Sequence, residues 1–190
     1  RTFSPIPLSV LMEDTPFIPK HPTVIVVQHP DPTDAVPVLQ QIESTMQALM
    51  QYRWNVLLIG SNADAGGRSK NTLLQKMADE QEHWLFTASL PHHTSFSRFS
   101  AAAALVGTSS CGIIEAASFH LPVVNIGQRQ QGRLRSGNTI DVPVYDQSAI
   151  KAALRTVVED DYFRDGLRNC TNVYGDGRAA QRVLDALHRL

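Results

Sequence analysis

Thr23-Val-Ile-Val-Val-Gln28 is a short run of β-branched residues with no polar position at its centre. A half-exposed strand would alternate apolar and polar residues. An unbroken run suits a strand buried on both faces, as in a parallel sheet. Turn residues follow, His29-Pro-Asp-Pro-Thr-Asp34, and then apolar residues at Val38, Ile42, Met46 and Leu49, spaced by four, four and three so that they share one helical face. Asp34 is the expected N-cap, with Pro37 tolerated in the first turn.

The same unit recurs along the chain. Strands are expected at Trp54–Ile59, Trp84–Thr87, Ala102–Val106, Pro122–Ile126 and, as an edge strand, Thr139–Val142. Helices are expected at Ser69–Glu80, Pro91–Ala101, Ile113–Phe119, Gln147–Glu159 and Arg178–Leu190. Strands alternating with helices imply right-handed crossovers and a parallel sheet covered on both sides. The expected fold is therefore α/β, a doubly wound, Rossmann-like parallel sheet, whose ligand sits at the carboxyl ends of the strands where their order reverses. Residues 1–22, with five prolines, read as an extended linker or arm, and 23–190 as one nucleotide-binding domain with a C-terminal helix.

Composition narrows the function class. The 190 residues suit one domain, and 43% hydrophobic with 18% charged residues is ordinary for a globular chain. A net charge of −1 offers no field for nucleic acid or an anionic membrane. No apolar run reaches the roughly 18–20 residues a bilayer demands, and the start lacks the continuous apolar core of a signal peptide. Two cysteines, Cys111 and Cys170, make neither a disulfide framework nor a zinc site. These features lead to the expectation of a cytoplasmic protein. The first residue is Arg1, not Met, so a piece of a longer protein is also expected.

The loops after the strands would carry the chemistry. His29-Pro30 follows the first strand; the histidine could donate to a phosphate, or simply pack in the turn. Ser61-Asn-Ala-Asp-Ala-Gly-Gly67 follows the second; Asn62 and Asp64 could hold the turn, cap the next helix or bond a sugar. Gly107-Thr-Ser-Ser-Cys-Gly112 follows the fourth and runs straight into a helix. Glycines permit close approach, hydroxyls add donors, and free N–H groups at a helix start face an anion. Together they read as a phosphate cradle, with a plain capped helix as the alternative. It is not a Walker loop, since no Gly-Lys-Ser/Thr follows, and not a G-x-S-x-G elbow, because Cys111 stands where the last glycine should be. Glu115 could accept from the two hydroxyls of a ribose, or only favour its helix start. Arg129 and Arg133, in Gly127-Gln-Arg-Gln-Gln-Gly-Arg-Leu-Arg135, are candidates for phosphate contacts.

At this point a family resemblance is visible. Gly107-Thr-Ser-Ser-Cys-Gly-Ile-Ile-Glu-Ala116, then Phe119, Pro122, Val124-Asn-Ile-Gly127, Arg129-Gln130 and Gly132-Arg133, is similar to the C-terminal signature of hydrolysing UDP-N-acetylglucosamine 2-epimerases. His29-Pro30, Asn62-x-Asp64-x-Gly66 and Tyr174-Gly-Asp-Gly177 agree with it. The resemblance implies the C-terminal half of a glycosyltransferase-B-type enzyme, two Rossmann-like domains facing a cleft, with UDP mainly on this half. It implies that His29 contacts the phosphates and serves catalysis there. Ser109, Ser110 and Gly112 would hold the diphosphate at the helix start, Glu115 the ribose, and Arg129 the nucleotide, with Asn62 at the site or holding its loop.

The implied reaction is anti elimination of UDP from UDP-GlcNAc, or a related UDP-N-acetylhexosamine, to a glycal. Water addition then gives N-acetylmannosamine for sialic acid or other amino-sugar biosynthesis. It needs no metal or redox cofactor. The implied partners are the nucleotide sugar, an N-terminal domain and, left open, a second copy of the chain.

Three positions depart from the family's pattern. Thr108 replaces the usual asparagine and keeps a polar side chain, while Ser61 and Val173 stand where proline is usual. In the family the groups acting on the sugar ring belong to an N-terminal domain, which is expected to be missing from these 190 residues. This chain is therefore expected to bind UDP without turning over the sugar. Rival readings are a stand-alone UDP-sugar module, a glycosyltransferase half of the same architecture and, most distant, a hydrolase around Ser110 or Cys111 with His92 or His93 as base.

Overall fold

The computed structural model describes residues 3–60 and 67–189, the side chains of 67–69 excepted. Among the described residues six strands form one sheet: β1 (Thr23–Val27), β2 (Asn55–Ile59), β3 (Trp84–Thr87), β4 (Ala104–Gly107), β5 (Val123–Ile126) and β6 (Thr139–Val142). Their order is β3-β2-β1-β4-β5-β6 and every pair is parallel. The order reverses between β1 and β4, which is where the doubly wound fold opens a crevice.

Alternate residues feed two cores. Val24, Val26, Val56, Leu58, Val106, Val124 and Ile126 face one side and pack with Ile42, Met46, Leu74 and Leu154. Those partners lie on α2 (Val38–Leu49), α3 (Gly67–Asp79) and α6 (Gln147–Glu159). Ile25, Val27, Leu57, Leu105 and Val123 face the other side, against Phe17, Phe99, Ala116 and Leu121. There the cover is α4 (His92–Ala101) and α5 (Ser110–Ile114) with the 3-10 turn Ala116–Phe119. Burying each such side chain is worth about 1.5–3 kcal/mol, so a strand apolar on both faces secures two layers at once.

Several expectations shift. Asp34 does not cap α2; its carboxylate accepts from the Val36 amide at 2.8 Å, and Pro37 takes the cap position. A proline disfavours helical geometry at the residue before it, so the helix cannot begin earlier. Where one helix was expected over Ile113–Phe119, α5 starts at Ser110, directly on the cradle loop, and Glu115 hands over to the 3-10 turn.

The segment expected as an extended arm carries α1 (Leu8–Met12) and docks on the domain. Leu11 and Phe17 are only 6% and 7% exposed, and the buried Asn55 amide pairs with the Ile18 backbone in both directions, at 2.8 and 3.0 Å. Prolines thin the helix there, yet the apolar residues between them find a groove. After α7 (Asp161–Gly166), α8 (Ala179–Leu187) has no buried residue, and Val183 and Leu184 are more than half and half exposed. Among the described residues no helix is long and apolar enough to cross a membrane.

Candidate functional site

At the reversal β1 and β4 end side by side, Val27 opposite Gly107. Gly107 ends β4 with φ +134°, and a Cβ placed there would lie 2.4 Å from the Val27 carbonyl oxygen. Only glycine lets the two strands run this close. Thr108, fully buried, then joins three loops. Its hydroxyl donates to the His29 carbonyl at 2.8 Å, and its amide donates to Val27 at 3.2 Å. Its own carbonyl accepts from the Gln130 side chain at 2.8 Å and from Arg129 Nη1 at 3.3 Å. The loops after β1, β4 and β5 are thereby held as one rim.

Ser109 is the N-cap of α5, accepting from the Cys111 amide at 3.4 Å and from the Cys111 thiol at 3.1 Å. Ser110 opens the helix, half-buried. Burial pushes the Cys111 thiol up to about 11, with the Glu115 charge adding and the Ser109 hydrogen bond opposing. A thiol so placed stays protonated at neutral pH and is no nucleophile. His92 and His93 open α4 instead, where His93 Nε2 meets the Ser4 carbonyl at 2.9 Å. The hydrolase reading loses its thiolate.

The loop after β5 splits its arginines. Arg135 is committed: its fork holds the Asp141 carboxylate, with Nη2–Oδ1 at 2.9 Å and Nε–Oδ2 at 3.0 Å. Arg129 is exposed and leans on the cradle through Thr108, and Arg133 is exposed beyond Gly132. Tyr145 lies under Gly127, where a Cβ would stand 2.5 Å from the phenol oxygen. Burial pushes that phenol up; the Asp34 and Asp31 charges add to this and Arg129 opposes it.

Residues 8–188 match the family model described as UDP-N-acetylglucosamine 2-epimerase. The chain belongs to the UDP-N-acetylglucosamine 2-epimerase family. A curated relative, "UDP-N,N'-diacetylbacillosamine 2-epimerase (hydrolyzing)" of Legionella pneumophila, is 32% identical over 173 residues, which cover 90% of this chain and 44% of the relative. The S. aureus MnaA–UDP co-structure superposes with a TM-score of 0.70 at 16% identity, over 97% of this chain and 48% of that one. The C-terminal domain of a group 1 glycosyl transferase (LpcC) from Francisella tularensis superposes with 0.60 at 18% identity, over 90% of this chain and 92% of that domain. The chain thus spans less than half the length of the curated relative it matches.

On this 2-epimerase domain the expected site residues distribute unevenly. His29, Ser109, Ser110 and Arg129 lie on loops tied through Thr108 and its neighbours. Glu115 is half-buried at the far end of α5, its amide bonded to the Cys111 carbonyl at 3.0 Å. Gly112 has a different reason to be glycine: a Cβ there would meet Val123 Cγ1 at 2.9 Å, and its N–H already donates to the Ser109 carbonyl at 3.2 Å. That close contact seats α5 on the sheet. Asn62 and Asp64 lie outside the described residues.

Sequence reasoning missed Gln130 and Tyr145 and undervalued Thr108. Their contacts bridge separate loops, which no local pattern reveals. The Tyr174 motif acts as a strut: its phenol donates to the Leu134 carbonyl at 3.2 Å, while Asn172 reaches Ile114 O at 2.8 Å and Ser118 Oγ at 2.7 Å.

Proposed function

We propose that this chain is the UDP-binding half of a hydrolysing 2-epimerase acting on a UDP-N-acetylhexosamine, with UDP-GlcNAc as the reference substrate. The observation that carries the reading is the Thr108 junction, which gathers the family-signature loops at the point where strand order reverses. In this reading Ser109 and Ser110 hold the diphosphate, Arg129 and Arg133 add guanidinium forks, and His29 donates to the phosphates. Glu115 accepts from the ribose hydroxyls, and Asn62, outside the described residues, is assigned to the nucleotide on the family resemblance alone.

The half-reaction assigned to these residues is departure of the leaving group. The bond from C1 to the β-phosphate oxygen breaks, its electron pair passes to that oxygen, and the cradle stabilises the released charge. The C2 proton must pass to a base as the glycal forms, and water then adds across the double bond. We place that base in the part of the relatives this chain does not match. The chain alone should bind UDP and UDP-GlcNAc and release no N-acetylmannosamine. Calorimetry with a product assay tests this: sustained turnover, or no UDP binding, overturns it. The likeness to a glycosyltransferase C-terminal domain supports a second reading, a transferase half, which predicts acceptor-dependent transfer once the whole protein is assayed.

A further inference from the structure

A second concavity lies at the opposite, amino-terminal ends of the strands. It has a volume of about 630 Å³ and is enclosed by α1 and the arm on one side and by the start of β1, the end of α4 and α7 on the other. That volume falls within the range of small-molecule sites, roughly 300–1,000 Å³. Its walls are mainly apolar, with Leu8, Met12 and Val158 among them, and its charged members are all of one sign: Lys20 and Arg164, joined by His21, with no carboxylate in the lining.

Both residues are exposed, and only the Arg164 guanidinium is anchored. Lys20 sits in the left-handed region at φ 71°, a conformation a lysine rarely adopts, in the turn leading into β1. Arg164 is anchored by one nitrogen, Nη1 donating to the Val157 carbonyl at 3.2 Å, which leaves the rest of its fork for another acceptor. The neighbouring Asp165 is engaged by Arg168 at 3.0 Å and does not neutralise it. A second hollow of about 410 Å³ continues from the first, sharing Ala102, Ala103 and Arg164, and its lining also lacks a carboxylate.

We propose that this cleft binds a small organic anion, with a phosphate or carboxylate head between Lys20 and Arg164 and an apolar body against Leu8, Met12 and Val158. Two cationic residues from different elements, both lining one mainly apolar hollow whose lining has no carboxylate, match that chemistry: the head is drawn by charge and the body by burial. The site lies at the end of the sheet away from the cradle and does not depend on the nucleotide reading. Because Lys20 belongs to the arm and Arg164 to α7, an occupant would also pin the arm to the domain.

Phenyl phosphate is the probe, titrated into the 15N-labelled chain, with phenol and inorganic phosphate as the two half-probes. Saturable binding with shifts at Lys20–Thr23, Ala101–Ala103 and Arg164 is expected, with phenyl phosphate tighter than either half-probe. Lys20→Gln together with Arg164→Gln should weaken it about tenfold or more, the scale of losing charged hydrogen bonds. Lys20→Gln alone, at an exposed side chain, keeps the test alive should the Arg164 change disturb α7. Shifts confined to His29 and Thr108–Ser110, phenol binding as tightly as phenyl phosphate, an affinity indifferent to Lys20→Gln, or no binding would each overturn the proposal. The two phosphate sources are separated by the same data: inorganic phosphate equal to phenyl phosphate would remove the apolar body from the account.

Discussion

At the carboxyl ends of the strands, polar groups are spent on one another: Thr108 alone engages Val27, His29, Arg129 and Gln130. At the amino ends the same sheet borders a hollow whose two cations, Lys20 and Arg164, sit on separate elements without a carboxylate in the lining. The first end is rigid because strand reversal brings two backbones within glycine distance and hydrogen bonds close the gap. The second is roomy because a proline-rich arm covers it without filling it. One end is thereby suited to geometry-sensitive recognition of a diphosphate, and the other to a looser charge-and-burial site.

The largest effect expected is at the rigid end. Gly107→Ala puts a methyl against the Val27 carbonyl in a backbone conformation alanine avoids, and should cost on the order of 3 kcal/mol or more. Urea unfolding measures it; a loss under about 1 kcal/mol would mean the strands part easily and the rigidity is overstated. Next, Arg129→Ala should weaken UDP by about 1.5–3 kcal/mol and uridine hardly at all, because only UDP offers an anion to the fork. Equal losses for both would make Arg129 a wall of the pocket. Thr108→Val, which keeps shape and removes the hydroxyl donor to His29, should cost about 1 kcal/mol of stability and loosen the loop after β1 in hydrogen exchange. An unchanged exchange pattern there would demote Thr108 from junction to filler.

The legibility of the molecule divides along the same line. β3 and α6 have the expected bounds, Trp84–Thr87 and Gln147–Glu159, because unbroken apolar runs and helical periodicity are local signals. The cradle was legible as a composition of glycine and hydroxyl residues. Its organisation was not, since the Thr108–His29 bond joins residues 79 apart in the chain and the Gln130–Thr108 bond residues 22 apart. The packing of Gly112 against Val123 was equally hidden, since a glycine's need for close approach looks the same whether the neighbour is a ligand or a side chain. The arm read as extended because prolines are visible in a sequence, while the groove that receives Leu11 and Phe17 forms only once β1 and α4 are in place.

The smallest effect is a rate. With its thiol pushed up to about 11, Cys111 should resist alkylation by iodoacetamide at pH 8 and react progressively as pH rises towards that value. Burial favours the neutral thiol over the thiolate, so the stability this contributes is present below the ordinary thiol range. It fades as pH climbs through the folded value. Rapid labelling of native Cys111 at neutral pH would show the cradle helix to be far more open than its packing allows.

The most direct test asks which end of the sheet receives UDP. In a 15N-resolved titration of the chain with UDP, the largest shifts should fall on His29, Thr108–Ser110, Glu115 and Arg129, with Lys20–Thr23 and Ala101–Ala103 unmoved. Shifts concentrated on the amino-end residues, or saturation by UDP with the Thr108–Ser110 amides silent, would contradict the account.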